Sequence, residues 1–267
     1  MGKKEDYKKM LKDKSFIFTP ENEVVPNEYN PNKDENIDFS FSNFSSHFDE
    51  HINHSIRGYS DLRRDVVSIS KYFIEDKTNV LDLGCSQGSL LKTIKDFNDQ
   101  TTTTKYVGVD YNKDFKKHWD KLKEKNLSFK VDDVTKMKLP KDISYCISLF
   151  TFQFLSERHR LPLFKKIYDN LIEGGCFITS EKVLSITGKI ENIMEFIYYD
   201  YKKQYFSEKQ IMDKEKQLRY LSKRTNENLL LKQLLGIGFR YIQPFWRNHN
   251  FVGYICLKLP KDTLDNE

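Results

Sequence analysis

VLDLGCSQGSL, residues 80–90, decides how the rest of the chain is read. An apolar run carries Asp82 at its centre, breaks at Gly84-Cys85-Ser86-Gln87-Gly88, and turns apolar again at Leu90. That is the pattern of a buried strand, a tight loop and a helix start. In an open α/β sheet a ligand lies outside the carboxyl ends of the strands, and the loop after the first strand lies there by construction. Two phosphate-binding readings fail on single residues. A P-loop needs Lys after its last glycine, and Ser89 follows Gly88. A dinucleotide fingerprint needs a second glycine where the pyrophosphate approaches the backbone, and Ser86 stands there.

Outward from that loop, strands and helices alternate. The spacing predicts strands at 79–83, up to Asp110, at 127–131, 143–150 and 176–182. Helices are predicted at 89–97, 114–125 and 157–171, the last closed by Gly174-Gly175. This rhythm gives an α/β fold with a Rossmann-like, mainly parallel sheet. Upstream, apolar residues at helical spacing from Phe48 to Phe73 predict two helices broken at Arg57-Gly58, a helical cap over 44–76. Residues 183–225 read as a helical insert between strands five and six, and 226–235 as a helix ending at Gly236. Strands at 240–246 and 251–259 flank RNHN as a hairpin, so the sheet has seven strands with the last antiparallel. Residues 1–43, rich in Lys, Asn and acids with prolines at 20, 26 and 31, read as a loosely ordered arm with one short helix near Tyr7 to Leu11. The folded domain is expected over 44–259, with 260–267 as a tail.

Composition narrows the setting. The 267 residues, 38% hydrophobic and 31% charged, suffice for one domain with a real core. Mean hydropathy is −0.67, so the chain is polar. A formal charge of +5, spread along the chain, permits phosphate-rich partners without requiring them. Four cysteines form no CxxC pair and sit in apolar segments, as buried thiols in a reducing compartment do. No run reaches the ~18 apolar residues of a membrane span. The N-terminal MGKKEDYKKMLKDK lacks the apolar stretch of a signal peptide, and Asp6 breaks the myristoylation pattern. A cytoplasmic protein with no membrane partner is expected.

The loop Asp-Leu-Gly-x-Ser-x-Gly resembles the first motif of class I S-adenosylmethionine (SAM)-dependent methyltransferases. Asp110 with Tyr111 ends strand two where such enzymes hold the ribose hydroxyls. Asp132-Asp133 follows strand three where they hold adenine. The closing hairpin fits the same fold, and the cofactor expected is S-adenosyl-L-methionine. RGYSDL, LDLGCSQG, FTFQFL, GGCFITSEK, FIYYDYKKQYFSE and PFWRNHNFVGYICLK together resemble the carboxy-S-adenosylmethionine synthase family, from about Phe48 to Leu259. That resemblance implies carboxylation of the SAM methyl group at the expense of prephenate, in the service of tRNA modification at wobble uridine. It places Tyr59, Gly84, Cys85, Ser86, Gly88, Asp110, Tyr111, Asp133, Val134 and Leu149 around the cofactor. Two positions depart from the family. Leu149 stands where the family has Asn, and Glu215 where it has the Arg that grips the donor's carboxylate. A bidentate cation–carboxylate pair would become a like-charge contact there. Lys214, Lys216 or Arg219 could substitute.

Three functions follow as expectations. The first is a SAM-dependent transferase moving a methyl group to a small-molecule or RNA-linked acceptor. The second is carboxy-SAM synthesis, and the third a non-catalytic SAM-binding module. In methyl transfer the enzyme mainly aligns acceptor, methyl and sulfur, so catalytic groups leave little sequence signature. Candidates are Gln153, Tyr199 and Glu215, with Glu181, Lys182 and Tyr205 nearby; Glu181-Lys182 also reads as a buried ion pair. FTFQFL lacks the Asn/Asp-Pro-Pro-aromatic motif of base-amino methylation. His47-x-x-Glu50-His51, with His54 a turn beyond, matches a zinc pattern but falls on an amphipathic cap helix, and no metal is expected. The aromatic run 196–206 is a candidate homodimer surface.

Overall fold

The computed structural model describes residues 48–260; the predicted arm, its short helix, His47 and the tail beyond residue 260 lie outside them. Two helices, α1 (Phe48–Ser55) and α2 (Tyr59–Ser70), precede the sheet. Between them Gly58 takes φ +75, a left-handed value that glycine adopts without a Cβ clash, so the chain turns where the sequence predicts.

The sheet strands are β1 (Asn79–Leu83), β2 (Lys105–Asp110), β3 (Leu127–Val131), β4 (Ile143–Leu149), β5 (Leu171–Lys182), β6 (Tyr241–Asn248) and β7 (Phe251–Leu257). Their order is β3-β2-β1-β4-β5-β7-β6. The first five are parallel, and β7 runs antiparallel to both β5 and β6. β4 lies between β1 and β5 and is buried along nearly its whole length, which is why it reads as an unbroken apolar run.

Helices cover both faces. α3 (Ser89–Phe97) joins α2 over one face, where Leu62, Val66, Leu91 and Ile94 meet Val80, Tyr145 and Ile147. α5 (Glu157–Asn170) and α8 (Glu227–Ile237) cover the other, burying Leu163, Phe164, Ile167, Leu230 and Leu234 against Leu81, Cys146 and Phe177. All four cysteines are buried and free. Among the described residues no helix is long and apolar enough to cross a membrane.

Several predicted elements are corrected. The helix expected over 114–125 is a 3-10 turn, Lys113–Phe115, and one α turn, α4 (Lys116–Trp119). That single turn already buries Phe115 and Trp119 against Cys85 and Phe129, and the lysine-rich continuation has little apolar surface to bury. Gly174-Gly175 does not cap a helix. α5 stops at Asn170, β5 begins at once, and the glycines form a bulge within it. Ile143 pairs with Leu171 while Tyr145 pairs with Cys176. α8 runs past Gly236 to Ile237 and is capped by Gly238 at φ +128, where a Cβ would lie 2.7 Å from the Tyr168 ring. The insert is two helices, α6 (Gly188–Lys202) and α7 (Glu208–Leu221), the second opened by a capping box of Ser207 and Gln210.

Candidate functional site

A cavity of about 740 Å³ opens at the carboxyl ends of β1, β2, β4 and β5, walled by α1 and α2 on one side and by α6 and α7 on another. It falls within the size range of small-molecule and cofactor sites. The loop after β1 forms one end. Gly84 sits at φ +85, and a Cβ there would come within 2.0 Å of Thr151 Oγ1. Gly88 sits at φ +79 behind the loop, where a Cβ would strike the Phe129 ring at 2.4 Å; it does not line the cavity. Both glycines keep the loop close-packed so that its backbone can face a ligand.

Asp110 is fixed against this loop. Its Oδ2 accepts from the Ser86 amide and its Oδ1 from the Asn112 amide, each at 2.9 Å. The Tyr111 amide adds a third contact, and the carboxylate's remaining acceptor capacity can take a hydrogen bond from a ribose hydroxyl. Burial pushes its carboxyl above the ordinary value, against the backbone amides that lower it. Trp119 Nε1 donates to Ser86 O at 2.8 Å and holds the loop from behind. Burial also pushes the Cys85 thiol well up, so it is no nucleophile. After β3, Asp133 Oδ1 accepts from the Thr135 hydroxyl at 2.7 Å and its amide at 2.9 Å, which lowers the Asp133 carboxyl.

Asp82, in the middle of VLDLG, also lines the cavity. Burial first, then the neighbouring Asp110, raises its carboxyl to about 7, and Arg63 opposes the shift. Arg63 in turn donates to Ser89 Oγ at 2.9 Å. A buried and a half-buried carboxylate facing one cavity favour a cationic guest. Gly84's tight turn, the aligned Asp110 and the Asp82–Asp110 pair fit a ligand that carries ribose hydroxyls and positive charge.

The far end lies under the insert and is dense in charge. Glu215 faces the cavity and pairs with Lys202 at 3.4 Å; the Lys202 side chain is 1% exposed. Arg224 is held by Glu191 at 2.6 Å and Glu195 at 3.4 Å. Lys214 contacts His51 Nε2, tying α7 to α1. Burial, with Lys214 and Lys202 nearby, lowers His51 to about 4, so it is neutral at pH 7 and accepts from the lysine. Burial and Lys202 bring Lys214 down to about 7. Tyr201 Oη donates to Asn53 O at 2.9 Å, a second tie between insert and cap.

The structure brings Tyr59, Gly84, Cys85, Ser86, Asp110, Tyr111, Asp133, Val134 and Leu149 to this cavity, together with Gln153, Tyr199 and Glu215. Burial, then Glu215, raises the Tyr199 hydroxyl to about 12, so it stays protonated and acts as a donor. Gln153 Oε1 accepts from the Lys182 amide at 2.8 Å and so fixes the end of β5. Two nearby candidates are displaced. Glu181 is fully buried and pairs with Arg160, not with Lys182, because successive strand residues point to opposite faces. Tyr205 stacks on His54, with centroids 4.2 Å apart, outside the cavity. Lys216 is exposed and does not line it, whereas Lys214 and Arg219 do. Among the described residues no group of His, Cys, Asp and Glu could hold a metal ion. Sequence reasoning missed Arg63, Arg224 and Glu195, whose spacing carries no motif. Asp82 was visible as an acid in an apolar strand.

Residues 80–175 match a methyltransferase-domain family. A carboxy-S-adenosyl-L-methionine synthase from Nautilia profundicola is 31% identical over 218 residues, covering 80% of this chain and 92% of that protein. One from Staphylococcus epidermidis is 29% identical, covering 82% and 96%. Among solved structures, a SAM-dependent methyltransferase from Aquifex aeolicus superposes with a TM-score of 0.54 at 15% identity, covering 83% of this chain and all (100%) of the other. Human N-acetylserotonin methyltransferase does so with a TM-score of 0.50 at 17% identity, covering 74% of this chain and 52% of the other. These two likenesses concern the fold alone.

Proposed function

Since the chain belongs to the carboxy-S-adenosyl-L-methionine synthase family, SAM-dependent transferases on the class I methyltransferase fold, we propose that it carboxylates the methyl group of SAM. The observation that carries this reading is the cation-rich end of the cavity. Lys182, Lys214, Arg219 and Arg224 line it with Glu195 and Glu215, and Lys202 and Glu191 pair with that wall from behind. Carboxylation adds a negative charge beside the sulfonium, and a surplus of cations favours that product over its cationic precursor. Glu215, in the place of the family's Arg, does not stand as a lone negative charge, because Lys202 pairs with it.

In this reading Asp110 accepts from the ribose hydroxyls, Asp133 and Val134 border the adenine, and Gly84 to Ser86 lie along the methionine chain. Tyr59 and Leu149 flank the sulfonium. Tyr199 donates a hydrogen bond to the carboxylate, and Gln153 holds the strand end that presents Lys182. The product serves as the donor for tRNA wobble-uridine modification, the use that the resemblance implies. Incubation of the purified protein with SAM and prephenate, read by mass spectrometry, tests the reading. Carboxy-SAM is the expected product, and its absence from an enzyme that binds SAM counts against it. Leu149 and Glu215 favour a second reading, methyl transfer to another acceptor, which would then appear as S-adenosylhomocysteine accumulating with an acceptor panel.

The homodimer expectation belongs on the outer side of α6, where Phe196 is 69% exposed with Ile193 and Ile197 beside it. Sedimentation of the wild type against Phe196→Glu tests it; a dimer that the substitution dissociates is the expected result.

A further inference from the structure

Lys182, at the carboxyl end of β5, lines the cavity with its charge unmatched by any close anion. Its Nζ lies 4.5 Å from the Tyr198 ring centroid and 5.6 Å from that of Phe251. Aromatic faces attract a cation but accept no conventional hydrogen bond. Among the described residues no carboxylate makes an ion pair with it. Glu215 and Glu195 reach it only at longer range, and they are engaged with Lys202 and Arg224. Its ammonium is pushed below the ordinary lysine value, by burial first.

Three of the other cations at this end are engaged, and the fourth, Arg219, is exposed to solvent. Arg224 sits between two glutamates, Lys202 pairs with Glu215, and Lys214 contacts His51. Lys182 is also held in place. Its amide donates to Gln153 Oε1, its residue pairs with Phe251 across β5 and β7, and its stem lies on two rings. A cation that is fixed, partly desolvated and short of acceptors gains more from an anionic guest than a mobile surface lysine does.

Resting on the carboxylation reading, we propose that Lys182 is the recognition residue for a carboxylate of the second substrate, the carboxyl donor, in the Tyr198–Phe251 corner of the cavity. The corner supplies one charge-assisted contact and two apolar faces, so it selects a small organic acid with an apolar body over an inorganic anion.

Calorimetric titration of prephenate into protein saturated with S-adenosylhomocysteine tests this. Wild type should bind, Lys182→Met and Lys182→Gln should bind at least about tenfold more weakly, and Lys182→Arg should recover most of the loss. Affinity for S-adenosylhomocysteine should stay near wild type in all three and the melting temperature should not fall, since burial already disfavours the Lys182 ammonium, which separates recognition from unfolding. In turnover the same loss should appear in KM for the donor rather than in KM for SAM. Prephenate affinity unchanged in both Lys182→Met and Lys182→Gln overturns the proposal. If carboxy-SAM forms at the same time, the carboxylation reading survives it. No prephenate binding by wild type and no carboxy-SAM overturn both.

Discussion

Lys214 carries its amine between His51 and Lys202 in a partly buried wall, and this has a pH signature. The unfolded chain keeps that proton up to about pH 10.5, the folded protein only up to about 7. Between these values the unfolded state binds more protons, so this residue's contribution makes the protein more stable as pH rises. Lys214→Met should therefore be more stable than wild type near pH 7, with the gap closing toward pH 10; urea melts at three pH values check it. Glu215 gives the converse case. Glu215→Gln leaves the Lys202 ammonium, 1% exposed, without its anion and should lower stability by about 3 kcal/mol. An unchanged melt would mean that Lys202 does not depend on Glu215. Asp82 links to the cofactor. With its carboxyl near 7 in the free protein, a cationic ligand favours the ionised form, so SAM binding at pH 6 to 7 should release a proton. Calorimetry in two buffers of different ionisation enthalpy reads this, and Asp82→Asn should abolish it.

At the scale of the element, the β1 loop and α3 were legible because each residue type had one geometric use. An apolar strand, two glycines at positive φ and a helical apolar stripe admit little else. Gly84→Ala should lower stability by about 1–3 kcal/mol and abolish cofactor binding, since the new methyl would overlap the Thr151 hydroxyl. A thermal melt with and without SAM checks both. The misread elements share one cause. Local propensity favours a helix over 114–125 and a cap at Gly174-Gly175, whereas the ends of these elements are set by partners far along the chain. Phe115 and Trp119 stop where Cys85 and Phe129 are covered, and Gly174-Gly175 bulges to keep Tyr145 opposite Cys176. Local patterns locate elements; tertiary contacts end them.

At the scale of the molecule, the cavity exists because cap, sheet end and insert meet. Contacts such as Tyr201 to Asn53 and His54 to Tyr205 hold the walls together. The motif half of the site was readable because it is contiguous or spaced by strand rhythm. The charged half was not. Lys182, Lys202, Lys214 and Arg224 come from separate segments, and their sum sets the field a ligand meets. Read alone, Glu215 implied a repulsive contact. In the fold it is half of an ion pair within a cationic surround. The direct test of a carboxylating transferase is the fate of a deuterated methyl group. With prephenate and SAM carrying a fully deuterated S-methyl, carboxylation should give an adenosyl product in which the carbon has lost one deuterium and gained a carboxylate. Transfer of the intact deuterated methyl to an acceptor, with S-adenosylhomocysteine as the other product, would contradict it.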